Sequence, residues 1–195
     1  MDKIRLDLET HTYWLGERRV PGFSEIIRDL GIVKDNPYWT DAGREEGKIL
    51  HQWLLFLAQK KAYSIPPVQS IAGRVEGIRK FLSESKFKLL FGEIPQYDPV
   101  SRFACTPDLV GHLGSTLVNI DAKRGEAQPW HILQLAAQKI ALAAGGVLIQ
   151  RSFGLYLRDG DYRLIGRDVS AYEAKWRTIC ASYPTIKELR GENGN

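Results

Sequence analysis

The stretch CTPDLVGHLGSTLVNIDAKRG, residues 105–125, decides the fold. Two apolar runs flank Gly114-Ser115, and that pair between such runs predicts a two-residue hairpin turn. With that turn Leu113 faces Thr116, and counting back along both strands places Asp108 directly opposite Asp121. Like charges facing each other across a sheet destabilise it. Side chains alternate along a strand, so Asp121 and Lys123 share one face, while Val118, Ile120 and Ala122 point the other way into apolar packing. Asp108 joins Asp121 and Lys123. Two readings follow. In the first, the patch binds a divalent cation such as Mg²⁺, which removes the cost of the facing carboxylates. Such a cation lowers the pKa of a bound water and polarises a phosphoryl oxygen. Lys123 then orients that water or stabilises negative charge in the transition state. In the second, the patch is a solvated sheet face with an incidental Asp–Lys pair.

Working outward, the helix expected over 41–60, capped by Thr40, carries Gly43, Gly47, His51, Leu54 and Ala58 on one row. Each mid-helix glycine costs ~1 kcal/mol relative to alanine. Two on one row predict close approach to another backbone, with His51 either a metal ligand or a hydrogen-bonded core histidine. A helix over 67–84 buries Val68, Ile71, Val75, Ile78 and Phe81 or Leu82, and shows Arg74, Arg79 and Lys80 on its other side. After residue 125, a helix entered near Pro129 and stopped by Gly145-Gly146 carries His131, Gln134 and Gln138 as a polar row. Its apolar face is Leu133, Ala137, Ile140 and Ala141. On its own that pattern is ordinary for a surface helix; it matters because this helix follows the DAK strand closely and must pack near it. Glu93, one strand before Asp108, either reaches the same site or pairs with an arginine.

Elsewhere the chain opens with strand-like KIRLDL and a hairpin-like HTYWLGERRVPG. A short helix over FSEIIRDLGI follows, capped by Ser24 and closed near Gly31. KFKLLFGEIPQY, RFACTPDLVGHL and TLVNIDAKR read as three meandering strands. A hairpin turns at Asp159-Gly160, a helix spans about 170–190, and a short frayed tail ends the chain. The expected fold class is α/β (α+β), a central mixed sheet with helices on both faces. The expectation is one domain over 1–195, with the hairpin and helices in 1–85 and the catalytic sheet and its helices in 86–190.

Bulk properties narrow the class. With 27 Lys and Arg against 23 Asp and Glu, the net charge is +4, which mildly favours a polyanionic partner. No run approaches the ~18 apolar residues of a membrane span. The N-terminus has no apolar signal-peptide core, so a cytoplasmic location is expected. Two cysteines, Cys105 and Cys180, indicate no disulfide framework and exclude a four-cysteine zinc or iron–sulfur site within one chain.

Together these pieces resemble the PD-(D/E)XK nuclease superfamily, in its RecB/Cas4-like and phage exonuclease-like branch, which includes the mitochondrial genome maintenance exonuclease. The resemblance rests on TPD at 106–108, DAK at 121–123, QLAAQ at 134–138 and GREEGKILH ending in His51. The earlier RRVPGFSEIIRDLG also looks like the opening of phage members, so the likeness runs from about residue 13 to residue 140. The family often has tyrosine where this chain has Gln138, and a glycine ahead of the first aspartate that is absent here.

The resemblance implies a restriction-endonuclease-like core in which Asp108 and Asp121 bind Mg²⁺ or Mn²⁺. The carbonyl of Ala122 and the imidazole of His51 would be further ligands. Lys123 would be the catalytic lysine, and Gln134 its support or a contact to the nucleic-acid backbone. The implied activity is metal-dependent hydrolysis of DNA, as an exonuclease of phage or prophage origin acting in recombination or repair within a bacterial cytoplasm. Arg74, Arg79, Lys80, Arg124 and Arg151 are candidates for holding phosphates. Trp130 either stacks on a base or packs at a helix start. A homo-oligomer or a recombination partner is compatible with the sequence. The competing classes are a catalytically silent nucleic-acid-binding or assembly protein, and a metal-independent protein whose acids form salt bridges.

Overall fold

The hairpin at residue 114 is present in a computed structural model that describes residues 3–33, 41–61 and 67–191, apart from the side chains of Asp41 and Arg44. Thr40 and the tail from residue 192 lie outside the described residues. In chain order the strands and helices are β1 (Ile4–Asp7), β2 (Thr12–Leu15), β3 (Arg18–Val20), α1 (Phe23–Asp29), α2 (Asp41–Ala58), α3 (Gln69–Ser85), β4 (Lys88–Phe91), β5 (Gln96–Asp98), β6 (Phe103–Cys105), β7 (Leu109–Leu113), β8 (Thr116–Lys123), α4 (His131–Ala144), β9 (Arg151–Arg158), β10 (Asp161–Arg167) and α5 (Ser170–Leu189).

Gly114 takes the positive φ of +62° that a tight turn needs at its first central position. Leu113 then pairs with Thr116 and Leu109 with Ile120, the register expected from the turn. The main sheet has the order β10-β9-β8-β7-β4. Its β8–β9 pair is parallel and the others are antiparallel. Parallel neighbours require a crossover, and α4 supplies it.

The alternation along β8 sorts the two faces. Val118, Ile120 and Ala122 pack with Leu155 and Leu157 under α2 and α3, against Leu50, Trp53, Leu54, Ile71, Val75, Ile78 and Phe81. The opposite face receives α4, with α5 and α1 packed behind it around the fully buried Trp176. That indole stacks on Phe23 and Phe103 with ring centroids 4.8 and 5.2 Å away. The mixed sandwich is therefore the expected one. Among the described residues no helix is long and apolar enough to cross a membrane, and both cysteines are buried free thiols.

Three local expectations are corrected. The first helix is capped at Gly22, not Ser24; the Gly22 N–H donates to Glu25, so the acid three residues on closes the turn instead. The two runs before β8 each break in two. Pro95 and Pro107 lack the N–H that a continuing ladder needs, so β5 and β6 pair with each other as a separate ribbon.

The close backbone approach expected at Gly47 is absent, and α3 shows one instead. A Cβ at Gly47 would meet nothing within 4 Å. A Cβ on Gly77 would collide with the carbonyl oxygen of Asp161, and one on Gly73 would meet the Asp159 side chain at 2.8 Å. These glycines let α3 sit on the β9–β10 turn, where the Gly160 N–H donates to the Gly73 carbonyl at 2.8 Å. Val68, expected on the buried side of that helix, caps it and is 58 % exposed.

Candidate metal and catalytic centre

The site forms where β8 ends. Asp108 follows Pro107 just before β7 and is 4 % exposed. Its Oδ2 accepts the N–H of Ala122 at 2.6 Å, across the hairpin. Its Oδ1 lies 3.4 Å from His51 Nδ1 on α2. The same imidazole nitrogen lies 3.6 Å from Glu93 Oε1.

Backbone contacts hold Glu93 beside Asp108: its N–H donates to the Pro107 carbonyl at 2.9 Å. Its neighbour Gly92 packs on the Asp108 carbonyl oxygen, where a Cβ would collide. Ligand atoms of His51, Glu93 and Asp108 lie within 4.8 Å of one another, so these three side chains can hold one cation between them.

Two features mark this cluster as short of positive charge. Among the described residues Glu93 Oε1 is buried with no hydrogen-bond partner. Burial, and then the neighbouring carboxylates Asp108 and Asp121, push the Glu93 carboxyl far above its ordinary range. Burial also raises Asp108, with Asp121 adding to the shift while His51, Lys123 and the Ala122 N–H oppose it. An imidazole and two crowded carboxylates, one with an orphaned oxygen, form a donor set suited to a divalent cation. Of the expected ligands, His51 and Asp108 are in this cluster; Asp121 is not, and Glu93 joins in its place, giving a donor set that fits a divalent cation.

Asp121 behaves differently. It is 2 % exposed and saturated by donors. Gln134 and Gln138 each donate to Oδ1, at 2.9 and 2.8 Å. Lys123 Nζ approaches Oδ2 at 2.6 Å. Lys123 in turn donates to Gln134 Oε1 at 2.8 Å and lies 5.2 Å from the centre of the Trp130 ring. Gln138 is fully buried and accepts from Asn119 Nδ2 at 3.0 Å. The polar row of α4 thus faces β8, the strand this helix is expected to pack near.

Trp130 is partly buried at the start of α4, with its ring beside His131 and the Lys123 ammonium. His131 Nδ1 accepts the Gln128 N–H and lies 3.2 Å from the Tyr156 hydroxyl. Burial, aided by Lys123, pushes its pKa down to about 4, so the ring is neutral.

The expected residues divide accordingly. The structure brings together His51, Glu93, Asp108, Asp121, Lys123, Gln134 and Gln138. Ala122 contributes its N–H, and its side chain lies in the apolar core. The basic candidates disperse. Arg124 pairs with Glu46 of α2. Arg79 lies 3.3 Å from Glu76 and Lys80 2.7 Å from Asp161. Arg74 donates to the Ser70 carbonyl at 3.2 Å within its own helix. Arg151 pairs with Val118 at the far end of β8.

Sequence reasoning missed Asn119 and Tyr156 as parts of the network; of the two readings of Glu93, the structure places it beside Asp108. Parity along β8 could have found Asn119, since it shares a face with Asp121. The Pro107 carbonyl contact that seats Glu93 had no sequence signal.

No family model matches this chain, and no curated protein does. Among solved structures it is similar to an alkaline exonuclease, LHK-Exo, from Laribacter hongkongensis, at 14% identity with a TM-score of 0.48, over 85% of this chain and 87% of that one. It is likewise similar to LHK-Exo in complex with dAMP, at 16% identity and a TM-score of 0.48, over 88% and 89% of the two chains. Likeness of that degree assigns no activity.

Proposed function

We propose that this protein is a divalent-cation-dependent deoxyribonuclease, an exonuclease that hydrolyses DNA phosphodiester bonds. The observation that supports it best is the adjacency of two clusters. One, His51–Glu93–Asp108, lacks positive charge. The other, Asp121–Gln134–Lys123, holds an ammonium at its edge.

His51, Glu93 and Asp108 would hold Mg²⁺ or Mn²⁺, with Asp121 adding negative field beside them. A cation bound there supplies Lewis acidity at the phosphoryl oxygen and an acidified water. Lys123 is anchored by Asp121 Oδ2 and Gln134 Oε1, so its ammonium is positioned without reorganisation at the moment of reaction. It stabilises the negative charge that grows as the water oxygen attacks phosphorus and the bond to the leaving sugar oxygen breaks. Gln134 and Gln138 fix the Asp121 carboxylate, which fixes the lysine. A role in the recombination or repair of phage DNA is consistent with this chemistry.

The test is degradation of linear DNA labelled at either end, with Mg²⁺ or Mn²⁺ and with chelator. Metal-dependent loss of label from one end, abolished by Lys123→Ala, is expected. Binding of DNA without cleavage in any of these conditions would instead place the chain among binding or assembly proteins. Undiminished cleavage by Lys123→Ala would reject the mechanism.

A further inference from the structure

A second polar cavity, of about 300 Å³, lies away from this centre, where β9 begins, β10 ends and α5 starts. Its lining includes Lys139 of α4, Arg151 and Ser152 of β9, Arg167 of β10, and Asp168 and Ser170 at the entrance to α5. Cross-strand partners share a face of the sheet. Ser152 pairs with Asn119 on one side and Arg167 on the other. Asn119 bonds to α4, so Ser152 and Arg167 point to that side as well, toward the cavity. Ser152 is 1 % exposed, and among the described residues its Oγ has no hydrogen-bond partner. A buried hydroxyl left unpaired is costly unless something else accepts its proton.

The surrounding charge points to the nature of that acceptor. Two cations from two different elements, Lys139 and Arg167, line the Ser152 side of this small cavity. Lys139 is 2.8 Å from Glu173, so its charge is partly answered. Asp168 accepts from the Ser170 N–H and hydroxyl, at 3.0 and 2.8 Å, and is thereby engaged in capping α5. Arg151 pairs with Val118 and lies over the Phe153 ring at 5.0 Å, so its guanidinium is on the other face of the sheet from Ser152. Arg167 interacts with the Tyr156 hydroxyl. No carboxylate pairs with either arginine among the contacts described. The positive end of a 20-residue helix adds to the field.

We propose that this cavity is a phosphate-binding site separate from the candidate cation centre, with Arg167 and Lys139 facing the oxyanion and Ser152 Oγ donating to it. The phosphate belongs either to a nucleic-acid strand or to a small phosphorylated molecule. Ser152 lies four residues along β9 from Tyr156, the partner of Lys123. By strand rise that separation is about 13 Å, or roughly two nucleotide steps of an extended strand. The strand source, though not the site itself, rests on the function proposed above.

The test uses the full chain, ¹⁵N-labelled, in chelator so that no cleavage occurs. Sodium phosphate is titrated at ionic strength matched with sodium chloride, and short single-stranded oligodeoxynucleotides are titrated in parallel. Saturable shifts confined to the cavity-lining residues are expected. Arg167→Gln should weaken binding roughly tenfold or more, as expected when a charge-assisted contact goes. Ser152→Ala should weaken it less.

Shifts at these residues with the oligonucleotide identify a strand phosphate as the ligand. Shifts with inorganic phosphate alone support the site, identify a small phosphorylated ligand, and count against the nuclease reading. Non-saturating shifts, or equal affinity in an Arg167→Gln variant that keeps the wild-type melting temperature, overturn the proposal.

Discussion

Asp108 and Asp121 face each other across one hairpin and share one patch, yet their surroundings are opposites. Asp121 takes hydrogen bonds from two glutamines and an ion pair from a lysine, and its network extends to the buried Asn119. Asp108 takes one backbone N–H and shares a single imidazole with Glu93, whose Oε1 has no hydrogen-bond partner among the described residues. The protein has built one saturated half and one unsaturated half. Buried polar groups are normally satisfied by the chain itself. The proposed cation would answer the donor-poor half, while in the other half the Asp121 carboxylate is well supplied with donors although Asn119 Oδ1 has no hydrogen-bond partner among the described residues.

The comparison can be broken most severely through activity. Lys123→Ala should lower DNA hydrolysis by about 10²–10³-fold or more, the scale of a lost electrostatic stabiliser. Substrate binding should change far less, which separate kcat and KM measurements would show. If kcat is untouched, the saturated half is only a structural network.

Stability comes next. Gln138→Ala removes one donor from Asp121 and the acceptor of the Asn119 amide, inside a fully buried layer. A loss of about 1–3 kcal/mol is expected in denaturant unfolding. In the other half the sign reverses. With no cation present, Glu93→Gln should raise stability by about 1 kcal/mol at pH 8, because it removes a crowded acid.

The pH dependence follows from the same asymmetry. In the folded protein the Glu93 carboxyl is raised from its ordinary 4.5 to about 9, and Asp108 is raised as well. Between those two values the unfolded chain has released the Glu93 proton and the folded chain keeps it. The folded state binds more protons, so stability falls as pH rises. Melting of the metal-free protein from pH 5 to pH 9 should show this decline, and Glu93→Gln should flatten it. A wild-type profile that rises across that window would contradict the description of the unsaturated half.

The smallest effect sharpens the boundary of the site. Gly47 lies one helical turn before His51, and a Cβ there meets nothing. Gly47→Ala should stabilise the protein by up to about 1 kcal/mol through helix propensity alone. Any change in cation response in that variant would mean that α2 is less independent of the site than described.

The saturated half was largely legible in the sequence. A two-residue turn fixes register, register fixes which residues face each other, and parity fixes which of them share a face. Asp108, Asp121 and Lys123 follow from those steps. The partner glutamines were visible as a row on α4, and the closeness of that helix to the DAK strand pointed the row toward the site; the donation of both amides to one Asp121 oxygen depends on tertiary packing and was not visible.

The unsaturated half was less legible. Glu93 arrives through a backbone contact to Pro107 and a close approach at Gly92, both of which depend on tertiary packing. The glycine argument was sound in kind but attached to the wrong helix. Close packing on the β9–β10 turn fell to Gly73 and Gly77, and no propensity distinguishes one helical glycine from another.

The central claim is that His51, Glu93 and Asp108 bind a divalent cation. Calorimetric titration of Mn²⁺ into the protein at pH 8, repeated with Asp108→Asn and Glu93→Gln, tests it most directly. One saturable site in the wild type, weakened at least roughly tenfold in each variant while Gly47→Ala binds normally, is the predicted result. Absence of binding, or equal binding in Asp108→Asn, would contradict it.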